Sequence, residues 1–277
     1  MIEIFLFSII TGLVYMLMAT GFNIVLGVSK MVNLAYGAQI IITAYIMSTL
    51  LDILPMPLAI ISSIALSLAI GGAIWQSLWI FRRDLILSIV VSIAIALFIE
   101  GVILKIYGAR LLSITIAGGE VLGISSQWFL AAVASIASMA LFYIIMTYTM
   151  LGKRMAAVAE NEDLARYMGI NVRLTSMASF LIATLFASIA SIAITPLYAI
   201  YPHIGWYYLT IVLAVVVIGG LGSIAGSLAS SMILSLTQSV AAYYIGSPAK
   251  DLIPLAILIS VLVAKPEGIF GRGVRWA

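Results

Sequence analysis

The residues able to do chemistry in this chain are few, and seven of its 23 charged ones stand together. Leu151 to Arg173, LGKRMAAVAENEDLARYMGINVR, holds Lys153, Arg154, Glu160, Glu162, Asp163, Arg166 and Arg173, in a chain with only 13 Lys/Arg and 10 Asp/Glu in 277 residues. Charge at that density cannot lie in hydrocarbon, so the passage belongs on an aqueous side with structure of its own. Asn161 suits a helix N-cap, Glu162 and Asp163 put negative charge in the first turn, Arg166 follows one turn on, and Gly169 can close the helix in a left-handed conformation. Met155, Val158 and Ala159 fall at spacings of three and four, which predicts a preceding short helix with one apolar stripe. A short helix marked at both ends can dock a partner; the same residues would also serve a solvated connector between two spans.

The second group is polar residues inside apolar runs. Glu100 lies within Leu85 to Ile106, and an ionisable group at membrane depth is costly enough to suggest function. It would border an outer vestibule or make a structural hydrogen bond between helices; Lys105 is close enough in sequence to snorkel to the surface instead of pairing with it. Asn33, Tyr36 and Gln39, with Gly37 among them, could face one way on a helix. Gly219, Gly220, Gly222 and Ser223 interrupt an apolar stretch in the other half. Broken helices in matching positions of two halves point to a translocation pathway, because freed backbone groups are tolerated where they line a cavity. Small residues equally allow close helix packing, which is the reading for Gly226, Ser227 and Ser231.

Enzyme chemistry finds little support. Cysteine is absent and the single histidine, His203, stands in a loop from Pro196 to Gly205 beside Tyr201 and Trp206, as an interfacial residue would. No metal-ligand spacing, catalytic triad or phosphate-binding loop occurs, so no catalytic residue, metal or cofactor is expected, and any ATP would have to be used by another subunit.

The elements that must position these groups follow from composition. With 64% hydrophobic residues, 8% charged residues and a mean hydropathy of +1.26, the chain reads as an integral membrane protein. The net charge of +3 is too small to suggest nucleic acid. Apolar runs long enough to cross a bilayer are Ile4 to Leu26, Met31 to Leu51, Leu58 to Ile80, Leu85 to Ile106, Trp128 to Met150 and Leu174 to Thr195. Tyr207 to Ile218, Ile224 to Ile245 and Leu252 to Ala264 follow. The expectation is an all-α polytopic membrane protein, one domain over 1–277, with about eight or nine transmembrane or partly re-entrant helices. If the loop 151–173 is cytoplasmic, Lys30, Arg82, Arg83, Lys153, Arg154, Arg166, Arg173, Lys265, Arg272 and Arg275 lie inside, and Lys105, Arg110 and Lys250 outside. That bias places the N-terminus outside and the C-terminus in the cytoplasm. With no basic flank before its first apolar run, the start reads as a retained span and not a cleaved signal.

Several blocks resemble one family. Gly152-Lys153-Arg154-Met155-Ala156-Ala157-Val158-Ala159-Glu160-Asn161 and Asp163-Leu164-Ala165-Arg166-Tyr167-Met168-Gly169-Ile170 resemble the coupling loop of branched-chain amino acid ABC importer permeases, with Glu162 where the family usually has proline and Asp163-Leu164 for Glu-Ala. Gly12-Leu13-Val14-Tyr15 with Val32-Asn33-Leu34-Ala35-Tyr36-Gly37-Ala38 is similar to the family's opening, Tyr36 standing where histidine is common. Val216 to Gly226 resembles the family's Gly-Gly-Leu-Gly-Ser block, Ala225 replacing proline, and Lys265 to Gly271 resembles its ending. The resemblance implies a permease subunit of a bacterial or archaeal inner membrane. Its implied partners are a second permease chain, two cytoplasmic ABC ATPases and an extracytoplasmic amino-acid-binding protein, with Glu160, Asn161, Asp163, Arg166 and Gly169 at the ATPase contact. A secondary transporter or channel without ATPase subunits, or a membrane scaffold, would share the broken helices or the loop, but several intramembrane acids are usual in ion-coupled carriers and Glu100 stands alone here.

Overall fold

The computed structural model describes residues 2–114, 119–121, 124–265 and 268. Apolar runs without a strong polar face satisfy their backbone groups internally as helices, and helices account for most of the described chain. α1 (Ile2–Ile24) runs on as a π-helical turn (Val25–Ser29), which Lys30 ends at φ 53°. Residues 31–35 are not helical, and α2 covers Tyr36–Leu51. α3 (Met56–Ile80) and α4 (Leu85–Tyr107) form a hairpin; Asp84 caps α4 by accepting from the amides of Ile86 (3.0 Å) and Leu87 (3.1 Å). Two-residue strands, β1 (Glu120–Val121) and β2 (Ile124–Ser125), pair antiparallel and depart from the all-helical expectation. α5 (Ser126–Tyr148) stops at extended Thr149, whose hydroxyl caps α6 (Met150–Glu160). α7 (Glu162–Tyr167), α8 (Val172–Ile194), α9 (Ile204–Gly219), α10 (Ile224–Tyr244) and α11 (Ser247–Ala264) complete the order.

Among the described residues six helices are long and apolar enough to span: 4–29, 56–80, 85–107, 126–148, 172–194 and 224–244. The others, α2, α9 and residues 252–264, are short; α2 and α9 have 16 residues each, about 24 Å against a hydrocarbon core of about 30 Å. The expected run Met31 to Leu51 is therefore corrected: apolar length counted residues 31–35 as helix, whereas the backbone there is open and the helix begins at Tyr36. α9 begins three residues earlier than the run that suggested it. Lys265 and Gly268 of the ending motif are described; its other residues, with Arg272 and Arg275, lie outside the described residues.

α1, α2, α8 and α9 form the centre, with Tyr15, Leu17, Met18, Tyr36, Phe180, Val212 and Val215 buried there. α3, α4 and α5 surround it and turn Leu58, Ile61, Leu97, Phe98, Leu130, Ile136 and Ile144 outward, the expected face toward lipid. Polar contacts knit the centre where small residues allow close approach. Ser29 Oγ lies 2.8 Å from Ser176 Oγ and 2.9 Å from Ser179 Oγ, Trp75 Nε1 donates to Ser176 Oγ (3.2 Å), and Thr43 meets Ser67 (2.9 Å). These contacts put the π-helical turn, the end of α3 and the start of α8 at one end of the bundle, the end that carries α6 and α7. At the opposite end Phe7 packs on Trp128 (4.6 Å between ring centroids) and Leu112 bridges Ile200.

Candidate functional site

Two sites take shape, one on the 150–171 arm and one where helices break inside the bundle. In the arm, α6 buries Met155 and Val158 completely and Ala159 in part, so the apolar stripe lies on the core. Asn161 Oδ1 accepts the Leu164 amide (3.0 Å), and the Ala165 amide donates to Asn161 O (3.0 Å). At the other end Gly169 sits at φ 80°; its amide donates to Arg166 O and that of Ile170 to Ala165 O, both 3.0 Å, the pairing of a Schellman closure. Ala165 and Ile170 turn inward, which fixes α7 against the body.

The arm's charges are organised by Glu162. Its Oε1 receives Arg166 Nη2 at 2.7 Å and Arg82 Nη2 at 2.8 Å, and Arg166 lies a further 3.9 Å from Asp163. Glu160, Asn161 and Asp163 are exposed and, with Ser29, Lys30, Arg82, Arg83, Glu162 and Arg166, line a polar cleft of about 440 Å³. Glu162 and Arg82 were absent from the sequence-based site. So were the apolar residues that α7 leaves outward: Leu164, Tyr167 and Met168 are 59%, 87% and 81% exposed. Such a knob, rimmed by Asp163 and Arg166, has the composition of a contact surface.

In the bundle, the same event occurs twice: a long helix (α1, α8), a non-helical stretch, then a short helix (α2, α9). The two short helices meet at their first turns, Gly37 against Gly205. A Cβ on Gly205 would lie 3.0 Å from Gly37 O, and one on Gly37 would lie 2.9 Å from Gly205 C. Beside this contact Leu34, Gly37, Ala38, Ile41, Glu100 and Trp206 border a void of about 10 Å³, space for about one water. Glu100 is buried; its Oε2 accepts the Trp206 indole N–H at 2.8 Å and its Oε1 meets Nδ1 of His203, which is largely exposed. His203 is thus a partner of the buried acid as well as a loop residue. The pairing spans α4 and the entry to α9, so nothing local in sequence marks it.

The other residues of this group occupy distinct places. Asn33 Nδ2 donates to Gln39 Oε1 (3.1 Å), both side chains fully buried, and Tyr36 Oη donates to Ala183 O (3.2 Å) in the middle of α8. Gly219, Gly220, Gly222 and Ser223 lie in the α9–α10 turn, apart from Glu100. A Cβ on Gly219 would meet the Gly226 carbonyl carbon at 2.5 Å, Gly220 and Gly222 hold φ of 89° and 80°, and Ser223 Oγ caps α10 at Gly226 (3.0 Å). Asn23 pins this turn to α1, accepting the Gly222 amide (3.0 Å) and donating to Ser227 Oγ (2.6 Å). Its polarity inside an apolar helix was the signal available. The structure brings Gly37 and Glu100 together at one void and leaves the Gly219–Ser223 group at the arm end.

Comparison with known proteins adds ancestry to this geometry. A family model described as "Branched-chain amino acid transport system / permease component" matches residues 4–262. The high-affinity branched-chain amino acid transport system permease protein LivH of Salmonella typhimurium is 25% identical over 284 residues, covering 94% of this chain and 92% of that one. BraD of Pseudomonas aeruginosa, with the same description, is 25% identical with the same coverage, and a probable branched-chain amino acid transport permease of Methanocaldococcus jannaschii is 24% identical over 97% of this chain and 91% of its own. Among solved structures, PsaBC from Streptococcus pneumoniae in complex with Fab aligns with a TM-score of 0.55 at 13% identity, over 94% of this chain and 91% of that one, a likeness of fold.

Proposed function

The chain belongs to the branched-chain amino acid transport system permease family, and from that premise we propose that it is the membrane-spanning subunit of a binding-protein-dependent ABC importer for branched-chain or closely related amino acids. It is a multi-pass protein of a bacterial or archaeal cell membrane. In the proposed assembly it pairs with a second permease chain, two separate cytoplasmic subunits hydrolyse ATP, and an external binding protein delivers substrate. The end bearing the arm faces the cytoplasm, in keeping with Lys30, Arg82, Arg83, Lys153, Arg154, Arg166 and Arg173 at that end. The N-terminus is then external and the C-terminus internal.

The observation that carries the reading is α7: a short helix closed at both ends, braced from behind by Ala165 and Ile170, that turns Leu164, Tyr167 and Met168 outward. An ATPase groove that takes up this knob would hold Asp163 and Arg166 at its rim. Motion of the ATPases would then reach the core as displacement of a stiff arm, because α6 and α7 rest on α8 and the π-helical turn. Substrate would pass where the helices break, near Asn33, Tyr36, Gly37, Gln39 and Glu100, with Gly219, Gly220, Gly222 and Ser223 on the route toward the cytoplasm. Leu34, Ala38 and Ile41 beside a carboxyl group are the side-chain types that an aliphatic group and an ammonium would meet there once the void, room for about one water in this conformation, widens.

The test is purification of the tagged chain in mild detergent from its own host, with and without Tyr167→Ala/Met168→Ala. Co-purifying ATPases and a second permease, with the ATPases lost from the variant, are the expected result. A chain that purifies alone and moves solute in ATP-free vesicles is instead a secondary transporter or channel.

A further inference from the structure

We infer that Arg82 and Glu162 are a positioning pair that transmits movement of α7 through α4 to the helix breaks; this rests on the reading of the arm as the ATPase contact. Glu162 is the first residue of α7. Proline at the first helical position would supply a rigid start but no side-chain partner. Here the carboxylate occupies that position, favoured by the helix N-terminus, and reaches out of the arm to the turn between α3 and α4. Arg82 is only 16% exposed at its side chain, and its guanidinium stacks on Trp79 at 3.9 Å from the ring centroid. Its Nη2 meets Glu162 Oε1 at 2.8 Å, while Arg166 Nη2 holds the same oxygen at 2.7 Å from the other side. A planar cation fixed by an aromatic face below and a shared carboxylate above has little freedom to swing, unlike an exposed surface pair.

What the pair moves is set by α4. Asp84, two residues from Arg82, starts α4, and Glu100 stands 16 residues further on, about 24 Å along the axis. On the way Ser92 Oγ accepts the Leu34 amide (3.2 Å) in the break before α2, and Glu100 accepts from Trp206 at the start of α9 (2.8 Å). One rigid helix thus touches both breaks, and its foot is tied to α7. Its opposite face, with Leu87, Val90, Leu97 and Phe98, is exposed, so a shift of α4 has to repack only the inner face that carries Ala96, Ile99 and Ile103.

The test uses the complete transporter in proteoliposomes, with binding protein and radiolabelled leucine outside and ATP supplied to the ATPase side, and reads leucine moved per ATP hydrolysed. Arg82→Gln is expected to lower that ratio about five- to ten-fold, the size of a contacting pair's interaction, while ATP hydrolysis continues; Arg82→Lys recovers part of it. Arg82→Gln/Glu162→Gln falls no further than the worse single change. The chain has no cysteine, so Arg82→Cys/Glu162→Cys joined by a short bis-maleimide places one covalent link there, and the link is expected to restore the ratio. An unchanged ratio in Arg82→Gln, additive losses in the double variant, or transport arrested by the link would each overturn the inference. Failure of the importer reading looks different: the unaltered protein would move leucine without ATP or recruit no ATPase.

Discussion

Replacing Gly169 separates backbone strain from steric effects, because an added Cβ there meets nothing within 4 Å. Any cost must come from φ 80°, a conformation that L side chains rarely adopt. For a single residue held left-handed that cost is about 1–2 kcal/mol for alanine and more for a β-branched side chain. Asparagine visits the region readily and should lose least. α7 has six residues and is too short to persist on its own, so it depends on its two closures. A loss of 1–2 kcal/mol lowers the ratio of formed to unformed helix about five- to thirty-fold. Hydrogen exchange of the Ala165, Met168 and Ile170 amides, which donate to Asn161 O, Leu164 O and Ala165 O, should accelerate by that factor in Gly169→Ala, more in Gly169→Val, and least in Gly169→Asn. ATP-coupled uptake should fall in the same order and be abolished by valine, with the chain still in the membrane. Wild-type exchange and full uptake in Gly169→Val, or asparagine as damaging as valine, would refute both the strain argument and the role of α7.

Trp206→Phe removes the N–H that Glu100 accepts and should destabilise the detergent-solubilised protein by about 1.5–3 kcal/mol, read as a lower melting temperature. Glu100→Gln keeps an oxygen for that bond, so it should melt close to the wild type while uptake drops several-fold; normal uptake would show that no charge is needed there. Gly219→Ala drives a methyl to 2.5 Å from the Gly226 carbonyl carbon and 2.6 Å from its oxygen, an overpacking that should cost about 1–3 kcal/mol in thermal unfolding. Asn23→Leu strips the Gly222 amide of its acceptor and Ser227 Oγ of the donor it accepts from, for a loss on the order of 2 kcal/mol, with proteolysis of the 220–223 turn as a second readout.

Legibility in the sequence followed the range of the interaction. The ends of α7 are written within nine residues, Asn161 to Gly169, so cap, first-turn acids and left-handed closure could all be read and all recur in the structure. Spans were readable from apolar length, except where an apolar stretch is not helical: Met31, Leu34 and Ala35 count toward a run although their backbone is open. Glu100 was visible as a buried acid, but its partners His203 and Trp206 lie across the fold and only packing brings them near. Arg82 looked like one more basic residue at a membrane edge, and Glu162 like a substituted proline; that they meet could not be inferred from either. At Gly219 pathway and packing stood open, and the backbone approach to Gly226 is a property of the turn geometry that Asn23 holds from another helix.

The breaks themselves impose a requirement that explains the polarity of α4. Where α2 and α9 begin inside the bundle, amides of the entering chain lack a preceding helical turn to accept them, and apolar surroundings make an unpaired donor costly. Some are answered locally, the Tyr36 amide by Asn33 O (3.3 Å) and the Trp206 amide by His203 O (3.2 Å). The Leu34 amide and the Trp206 indole are answered from α4, by Ser92 and Glu100. Ser88, Ser92, Ala96 and Glu100 recur at multiples of four, so they share one buried face of an otherwise apolar helix whose other faces point to lipid. Glu100 is then tolerated in this apolar helix because it is paired, accepting the Trp206 indole N–H and meeting His203 at the entry to α9. On the proposed reading the same contact makes the break responsive: a shift of α4 that carries Glu100 away from Trp206 leaves the carboxyl group seeking a donor, water or an ammonium, and the indole N–H seeking an acceptor such as water, at the point where Gly37 and Gly205 otherwise close the two short helices against each other.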